Sequence, residues 1–140
     1  MKDIEIYKMK NYDLVYYKKS IVAFVIRKNF KTIKTKFFGI EKNSLQFGHI
    51  VKNKNDIIPR HRHKKVKRVI YGTPEILIVH KGETKLTLFK KGKILKTLVL
   101  KKGDLISLID CEHSFIFKKN TILYEIKQGP YIKNEKIIYD

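Results

Sequence analysis

Short apolar segments separated by polar turns run along most of the chain, and this pattern predicts strands. Ten segments rich in β-branched and aromatic residues recur about every ten residues, with glycines or charged residues between them. No stretch of eleven or more residues has the period of an amphipathic helix. The pattern therefore predicts an all-β sandwich or barrel. The predicted strands are 21–26, 31–37, 45–51, 65–70, 75–81, 84–89, 94–100, 105–109, 114–117 and 122–127.

Glycines mark three of the predicted turns, at Gly82, Gly92 and Gly103. Glycine adopts the positive φ that tight turns need without steric cost, so we expect sharp reversals there. Residues 1–35 are aromatic and less regular. They either add strands to a sheet edge or form a dimer contact, and the sequence favours neither. We expect the barrel in residues 36–140, within a single domain.

The composition is that of a globular domain in a reducing compartment. The chain has 140 residues, 43% of them hydrophobic, and its one cysteine, Cys111, excludes an internal disulfide. No apolar run approaches the roughly 20 residues of a membrane span, and the N-terminus lacks the apolar core of a secretion signal. We therefore expect a cytoplasmic protein with no membrane partner.

The formal net charge of +19 raises the question of a nucleic-acid partner. Lysine outnumbers arginine 28 to 4, although arginine is better suited to bidentate recognition of phosphates and bases. The lysines are also spread in pairs over the whole length. This distribution is typical of turns and solvent-facing strand positions, so we expect no nucleic-acid partner. The charge should still attract anionic ligands.

Three histidines and one glutamate form a candidate metal site. His61 and His63 are separated by one residue and share a face if their segment is extended. Glu75 opens an apolar run, and His113 follows another predicted strand. If the four side chains converge, three nitrogens and one oxygen suit Fe, Mn, Ni, Co or Zn. The alternatives are two exposed histidines in a basic loop and a charged residue at the start of a strand.

Glu125 and Lys127 share one face of the last predicted strand, offset from Tyr124 and Ile126. If that face points inward, the two form a polar pair beside a ligand pocket. Burial and pairing would then shift both pKa values, which makes the pair a candidate for acid–base catalysis. An exposed charge pair on the surface is the alternative.

The same residues resemble the two sequence motifs of the cupin superfamily. The first motif is His61-x-His63, then Glu75 with six residues between it and Gly82. The second is Gly-Asp at 103–104, followed by His113. Eleven residues separate His63 from Glu75, where the family usually has three or four.

More narrowly, residues 36–140 are similar to a group of small bacterial cupins of uncertain role. The likeness rests on Leu-Gln at 45–46, Gly-Thr-Pro-Glu at 72–75 and Glu-Ile-Lys-Gln-Gly-Pro-Tyr at 125–131. That group tends to have two glycines before the last histidine, where this chain has Cys111 and Glu112. The change either forces a non-glycine residue into that turn or alters its shape.

The resemblance implies a jelly-roll barrel, or double-stranded β-helix, with a divalent metal at its mouth on His61, His63, Glu75 and His113. It also implies a link to sugar or surface-polysaccharide biosynthesis. We therefore expect a metal-binding cupin acting on a small polar metabolite, with a sugar or sugar-nucleotide isomerase or epimerase as the first candidate and with Glu125 or Lys127 moving protons. The alternative is a non-catalytic cupin that binds an anionic sugar or metabolite, its metal structural or absent. Since cupins commonly pair through sheet edges, we expect a homodimer.

Overall fold

The computed structural model describes residues 3–39 and 42–139. Residues 1 and 2 of the predicted N-terminal segment 1–35, and residues 40, 41 and 140 of the predicted barrel 36–140, lie outside the described residues. Within the described residues all regular structure is β, and none of it is helical. No helix there is long and apolar enough to cross a membrane. The strands are β1 (Ile4–Met9), β2 (Tyr12–Tyr17), β3 (Ser20–Ile26), β4 (Lys36–Phe38), β5 (Phe47–His49), β6 (Glu75–Lys81), β7 (Glu83–Lys90), β8 (Lys93–Lys101), β9 (Leu105–Leu108), β10 (Glu112–Ile116) and β11 (Ile122–Lys127).

The strands form three antiparallel sheets. The largest has six strands in the order β1-β2-β3-β9-β6-β11. A second has three strands in the order β10-β7-β8, and β4 pairs with β5 in a third. β11 and β10 are therefore each the last strand of their sheet.

The two larger sheets share one apolar core. Leu77 and Val79 of β6 pack in the same cluster as Leu86 and Leu88 of β7, and none of the four is more than 7% exposed. Because side chains alternate along a strand, the odd-numbered residues of β6 face the three-stranded sheet. Burying each such side chain contributes about 1.5–3 kcal/mol, so this core holds the two sheets together.

A second apolar cluster covers the other face of the large sheet. Phe24 of β3, Ile76 of β6 and Leu105 of β9 are buried there, with Phe30 and Phe38 packed over them. The ring centroids of Phe30 and Phe38 are 5.2 Å apart in an edge-to-face arrangement. The central strands of the large sheet are consequently buried on both faces.

Asp104 fixes the corner between β8 and β9. The residue is 4% exposed, and its carboxylate accepts hydrogen bonds from the Arg27 guanidinium at 2.8 Å, the Lys28 N–H at 3.0 Å and the Lys101 N–H at 2.9 Å. These charge-assisted bonds compensate the burial of the carboxylate and join the end of β3 to the corner.

The predicted glycine turns are confirmed, with φ of +80° at Gly82, +71° at Gly92 and +89° at Gly103. Gly92 closes the hairpin between β7 and β8. At Gly82 and Gly103 the chain instead passes from one large sheet to the other, since β6 and β9 belong to the six-stranded sheet.

Most predicted strands are present, but the segment 65–70 is not one. Residues 52–73 are exposed and carry no regular structure. The β-branched residues of 65–70 gain nothing from a pleated conformation without a neighbouring strand to pair with. The segments 31–37 and 45–51 contribute only the short strands β4 and β5. Within residues 1–35, β1, β2 and β3 form one side of the six-stranded sheet.

Candidate functional site

The candidate site is a cavity of about 750 Å³ at the open side of the sandwich. β11 and β10 face each other across it, each at the edge of its sheet. The residues that line the cavity include acidic, aromatic and aliphatic side chains, with one histidine: Leu77, Phe115, Leu123, Tyr139, Glu75, Glu112, Glu125, Glu135 and His113. In a chain with 32 basic and 13 acidic residues, four carboxylates lie around one cavity, whose lining also includes Lys136.

Glu75 enters the cavity from β6. It has the same parity as Leu77 and Val79, as the sequence predicts, so its side chain points into the space between the sheets. The apolar core ends at this point, which leaves the Glu75 side chain 12% exposed. A carboxylate this buried needs a polar partner.

His113 of β10 is that partner. Its Nε2 lies 3.3 Å from Glu75 Oε2, and its Nδ1 lies 3.4 Å from the carbonyl oxygen of Cys111. Antiparallel pairing sets His113 opposite Leu88 and Phe115 opposite Leu86, so both β10 side chains face the core side. The site therefore joins one residue from each of the two sheets.

The two groups of this pair shift each other's pKa. The hydrogen bond to His113 lowers the pKa of Glu75, against the opposite effect of burial. The hydrogen bond to Glu75 raises the pKa of His113, again against burial. Both ring nitrogens of His113 face oxygen acceptors, which favours the doubly protonated imidazolium.

Glu125 and Lys127 lie beside this pair on β11. The register of β11 with β6 sets Glu125 opposite Leu77 and Lys127 opposite Glu75, so both side chains lie on the cavity side of the sheet. The charge of Lys127 further lowers the pKa of Glu75. Glu125 itself is exposed to solvent.

The C-terminal segment closes one side of the cavity through Glu135. Its carboxylate accepts a hydrogen bond from the Thr73 hydroxyl at 3.3 Å and lies 3.7 Å from Lys127 Nζ. The sequence analysis missed Glu135, Thr73 and Tyr139 as site residues. Their place depends on how an irregular segment folds back, and strand periodicity carries no signal of that.

His61 and His63 lie in the exposed segment 52–73. Their rings contact each other, with centroids 5.5 Å apart, and His61 Nδ1 lies 2.8 Å from the Pro59 carbonyl oxygen. Of the four predicted metal ligands, the structure brings together only Glu75 and His113. Across residues 3–39 and 42–139, no group of three or more His, Cys, Asp or Glu side chains is arranged to hold a metal ion. One imidazole and one carboxylate do not fit a transition-metal centre of three or four protein ligands.

The turn before His113 accommodates Cys111 and Glu112 without strain, because neither residue has a positive φ. The Glu112 carboxylate accepts hydrogen bonds from the backbone N–H groups of Lys91, at 2.9 Å, and Gly92, at 3.4 Å. Glu112 thereby ties β10 to the neighbouring hairpin. Burial raises the pKa of the Cys111 thiol to about 12, so it stays protonated at neutral pH.

No protein-family model, curated protein or solved structure matches this chain. The chemistry of the cavity is therefore the basis on which its function is argued.

Proposed function

We propose that the chain binds a small polyhydroxylated metabolite, such as a sugar derivative, in this cavity and transfers a proton on it. The observation that carries the proposal is the convergence of Glu75, His113 and Glu125 on one cavity, with Lys127 paired opposite Glu75 on β11. Titratable groups from three different strands meet there, next to apolar side chains. Such a combination is typical of small-molecule sites. The antiparallel sandwich with a site between its two sheets also supports the finer proposal of a cupin jelly roll.

The cavity suits a ligand with hydroxyl groups and a partly apolar ring face. The carboxylates of Glu125 and Glu135 accept hydrogen bonds, which is what a hydroxyl can donate. Phe115 and Leu77 provide apolar surface next to them. A sugar ring would match both the carboxylates, through its hydroxyls, and the apolar side chains, through the C–H groups on its face.

Within this proposal, Glu125 is the proton-transferring group. Its carboxylate takes the proton from a carbon next to a carbonyl, and the electron pair of the broken C–H bond passes to the carbonyl oxygen. The ammonium of Lys127 stabilises the enolate so formed. When the deprotonated carbon carries a hydroxyl, return of the proton to the former carbonyl carbon, with the hydroxyl proton passing to the enolate oxygen, gives the keto–aldo isomer. No oxidant or reductant is consumed.

Glu75 and His113 act as positioning residues in this scheme. The imidazolium of His113 balances the charge of Glu75, which lets a second carboxylate, Glu125, lie next to it. Without His113, two ionised carboxylates would repel each other in a half-buried site. A metal-dependent form of the reaction remains a prediction from the family resemblance.

Incorporation of solvent deuterium tests the proposal. The chain is incubated in heavy water with a panel of keto sugars, sugar phosphates and nucleotide-linked sugars, and carbon-bound deuterium is measured by mass spectrometry. We expect incorporation into at least one compound, and a loss of about 100-fold or more in Glu125→Gln. Glu83→Gln is the matched control, because Glu83 pairs with Lys119 at 3.1 Å outside this cavity and should leave the rate unchanged.

Two outcomes would contradict the proton-transfer mechanism. Binding of a panel compound with no deuterium incorporation would favour the non-catalytic alternative. Incorporation that a chelator abolishes and Glu125→Gln leaves intact would favour a metal-dependent reaction. Elemental analysis of protein purified without chelator then identifies the metal.

A further inference from the structure

The exposed segment 52–73 has a composition unlike the rest of the chain. Eight of its 22 residues are lysine or arginine and only Asp56 is acidic. All 22 residues are exposed, from the turn after β5 to the entrance of β6. The segment is therefore a continuous basic surface.

Three of the four arginines of the chain lie in this segment, within nine residues: Arg60, Arg62 and Arg68. The fourth, Arg27, is bound to Asp104. Composition alone suggests that arginine is too scarce for nucleic-acid binding. The structure places Arg60, Arg62 and Arg68 together in one exposed stretch. Their guanidinium groups can form bidentate contacts with phosphates there.

The backbone and the aromatic rings of this segment favour single-stranded nucleic acid over duplex DNA as its partner. It has no helix or hairpin of the kind that enters a DNA groove. Tyr71 is 90% exposed at its end, and the rings of His61 and His63 are exposed near its middle. Exposed rings next to arginines are the features that bind unstacked bases and a flexible phosphate backbone.

An anionic membrane is the competing partner, since Ile57, Val66 and Val69 are also exposed here. Membrane-surface segments are amphipathic helices whose apolar residues form one face. This segment is not helical, so it lacks the amphipathic helical face by which such segments enter a lipid layer. The observations therefore favour nucleic acid.

We infer that residues 52–73 bind single-stranded nucleic acid, with Arg60, Arg62 and Arg68 on phosphates and Tyr71 stacked on a base. This inference is independent of the function proposed for the cavity. It reverses the expectation from composition that the chain has no nucleic-acid partner.

Fluorescence anisotropy with a labelled oligouridylate of about 20 nucleotides tests the inference. The test variant replaces Arg60, Arg62 and Arg68 with glutamine. The control variant replaces three exposed lysines outside the segment, Lys8, Lys10 and Lys118, and changes the net charge equally. Because the substituted side chains are exposed, both variants should keep the stability of the wild type, as thermal unfolding checks.

We expect the arginine variant to bind at least tenfold more weakly and the lysine variant to stay within threefold of the wild type. The slope of log K against log salt should become shallower by about 2 in the arginine variant, since each phosphate contact on a single strand contributes about 0.7. Tyr71→Ala should weaken binding further without changing this slope.

Equal losses in the two charge variants would overturn the inference, because they would show attraction by the overall charge. Tighter binding to phosphatidylglycerol vesicles than to the oligonucleotide would overturn it in favour of a membrane surface. Absence of oligonucleotide binding at about 50 mM salt would also overturn it, since phosphate contacts are strongest there.

Discussion

At the scale of single residues, the contact between Glu75 and His113 determines the charge of the cavity. Each group is half-buried or more and each faces the other across two sheets. The lowered pKa of Glu75 and the raised pKa of His113 both follow from their hydrogen bond. The two groups therefore form an ion pair between two limits of pH, the lowered pKa of Glu75 and the raised pKa of His113.

The pair should stabilise the fold only between those limits. The contribution of Glu75 is present above its usual pKa of 4.5 and is lost as the pH falls through its lowered folded value. The contribution of His113 is complete below its usual pKa of 6.5 and is lost as the pH rises through its raised folded value. The free energies of unfolding of wild type and His113→Gln should thus differ by about 1 kcal/mol near pH 5.5, and by less once the pH exceeds the raised pKa of His113.

His80→Gln is the matched control for this pH dependence. His80 is exposed and contacts the Tyr124 ring on the other face of the large sheet, with ring centroids 4.8 Å apart. Its effect on the free energy of unfolding should not vary with pH in the same way. A pH-independent difference for His113→Gln would show that the ion pair is absent.

Residue types and strand parity predicted part of the site. The shared face of Glu75 and Leu77, and that of Glu125 and Lys127, follow from alternation along single strands. The hydrogen bond from His113 to Glu75 does not, because it joins strands of different sheets. Its geometry depends on how the two sheets pack, and no local pattern encodes that distance.

At the scale of elements, the corners between sheets position the site. β6 enters at Glu75 and leaves at Gly82, where the chain turns into the three-stranded sheet. A Cβ at Gly82 would collide with the Asn120 carbonyl oxygen and with Thr121. This corner consequently requires glycine both for its φ and for the close approach of the segment before β11.

Gly82→Ala should therefore destabilise the protein more than Gly92→Ala. Both residues have positive φ, which costs alanine about 1 kcal/mol. A Cβ at Gly92 meets nothing within 4 Å, whereas the collision at Gly82 adds about 1–3 kcal/mol. Chemical denaturation of the two variants measures the difference. Equal losses would mean that the segment before β11 does not pack against this corner.

The sequence was most informative where short apolar segments and turn residues follow each other closely. Residues 75–127 have this pattern, and β6 to β11 lie close to their predicted bounds. The segment 65–70 has high β-propensity but forms no strand, because a strand also needs a partner with free hydrogen-bonding groups. The sequence also did not predict that β6 and β7 belong to different sheets. A glycine turn has the same sequence pattern in a hairpin and in a corner between two sheets.

At the scale of the whole molecule, acidic residues are unevenly distributed. Four of the 13 line the cavity, with His113 and Lys136 among them, while the arginine-rich segment 52–73 leads to the cavity rim at Thr73. A net charge of +19 does not reveal this distribution. The homodimer remains a prediction from the family resemblance, and sedimentation would test it against the 16.6 kDa mass of one chain.

The pairing of Glu75 with His113 across the sandwich is the central claim, and it can be measured without a substrate. Titration of the His113 ring by NMR gives its pKa in the wild type and in Glu75→Gln. We predict that His113 titrates above the ordinary histidine value of about 6.5 in the wild type, and that its pKa falls in Glu75→Gln. An unchanged His113 pKa in Glu75→Gln would contradict the account.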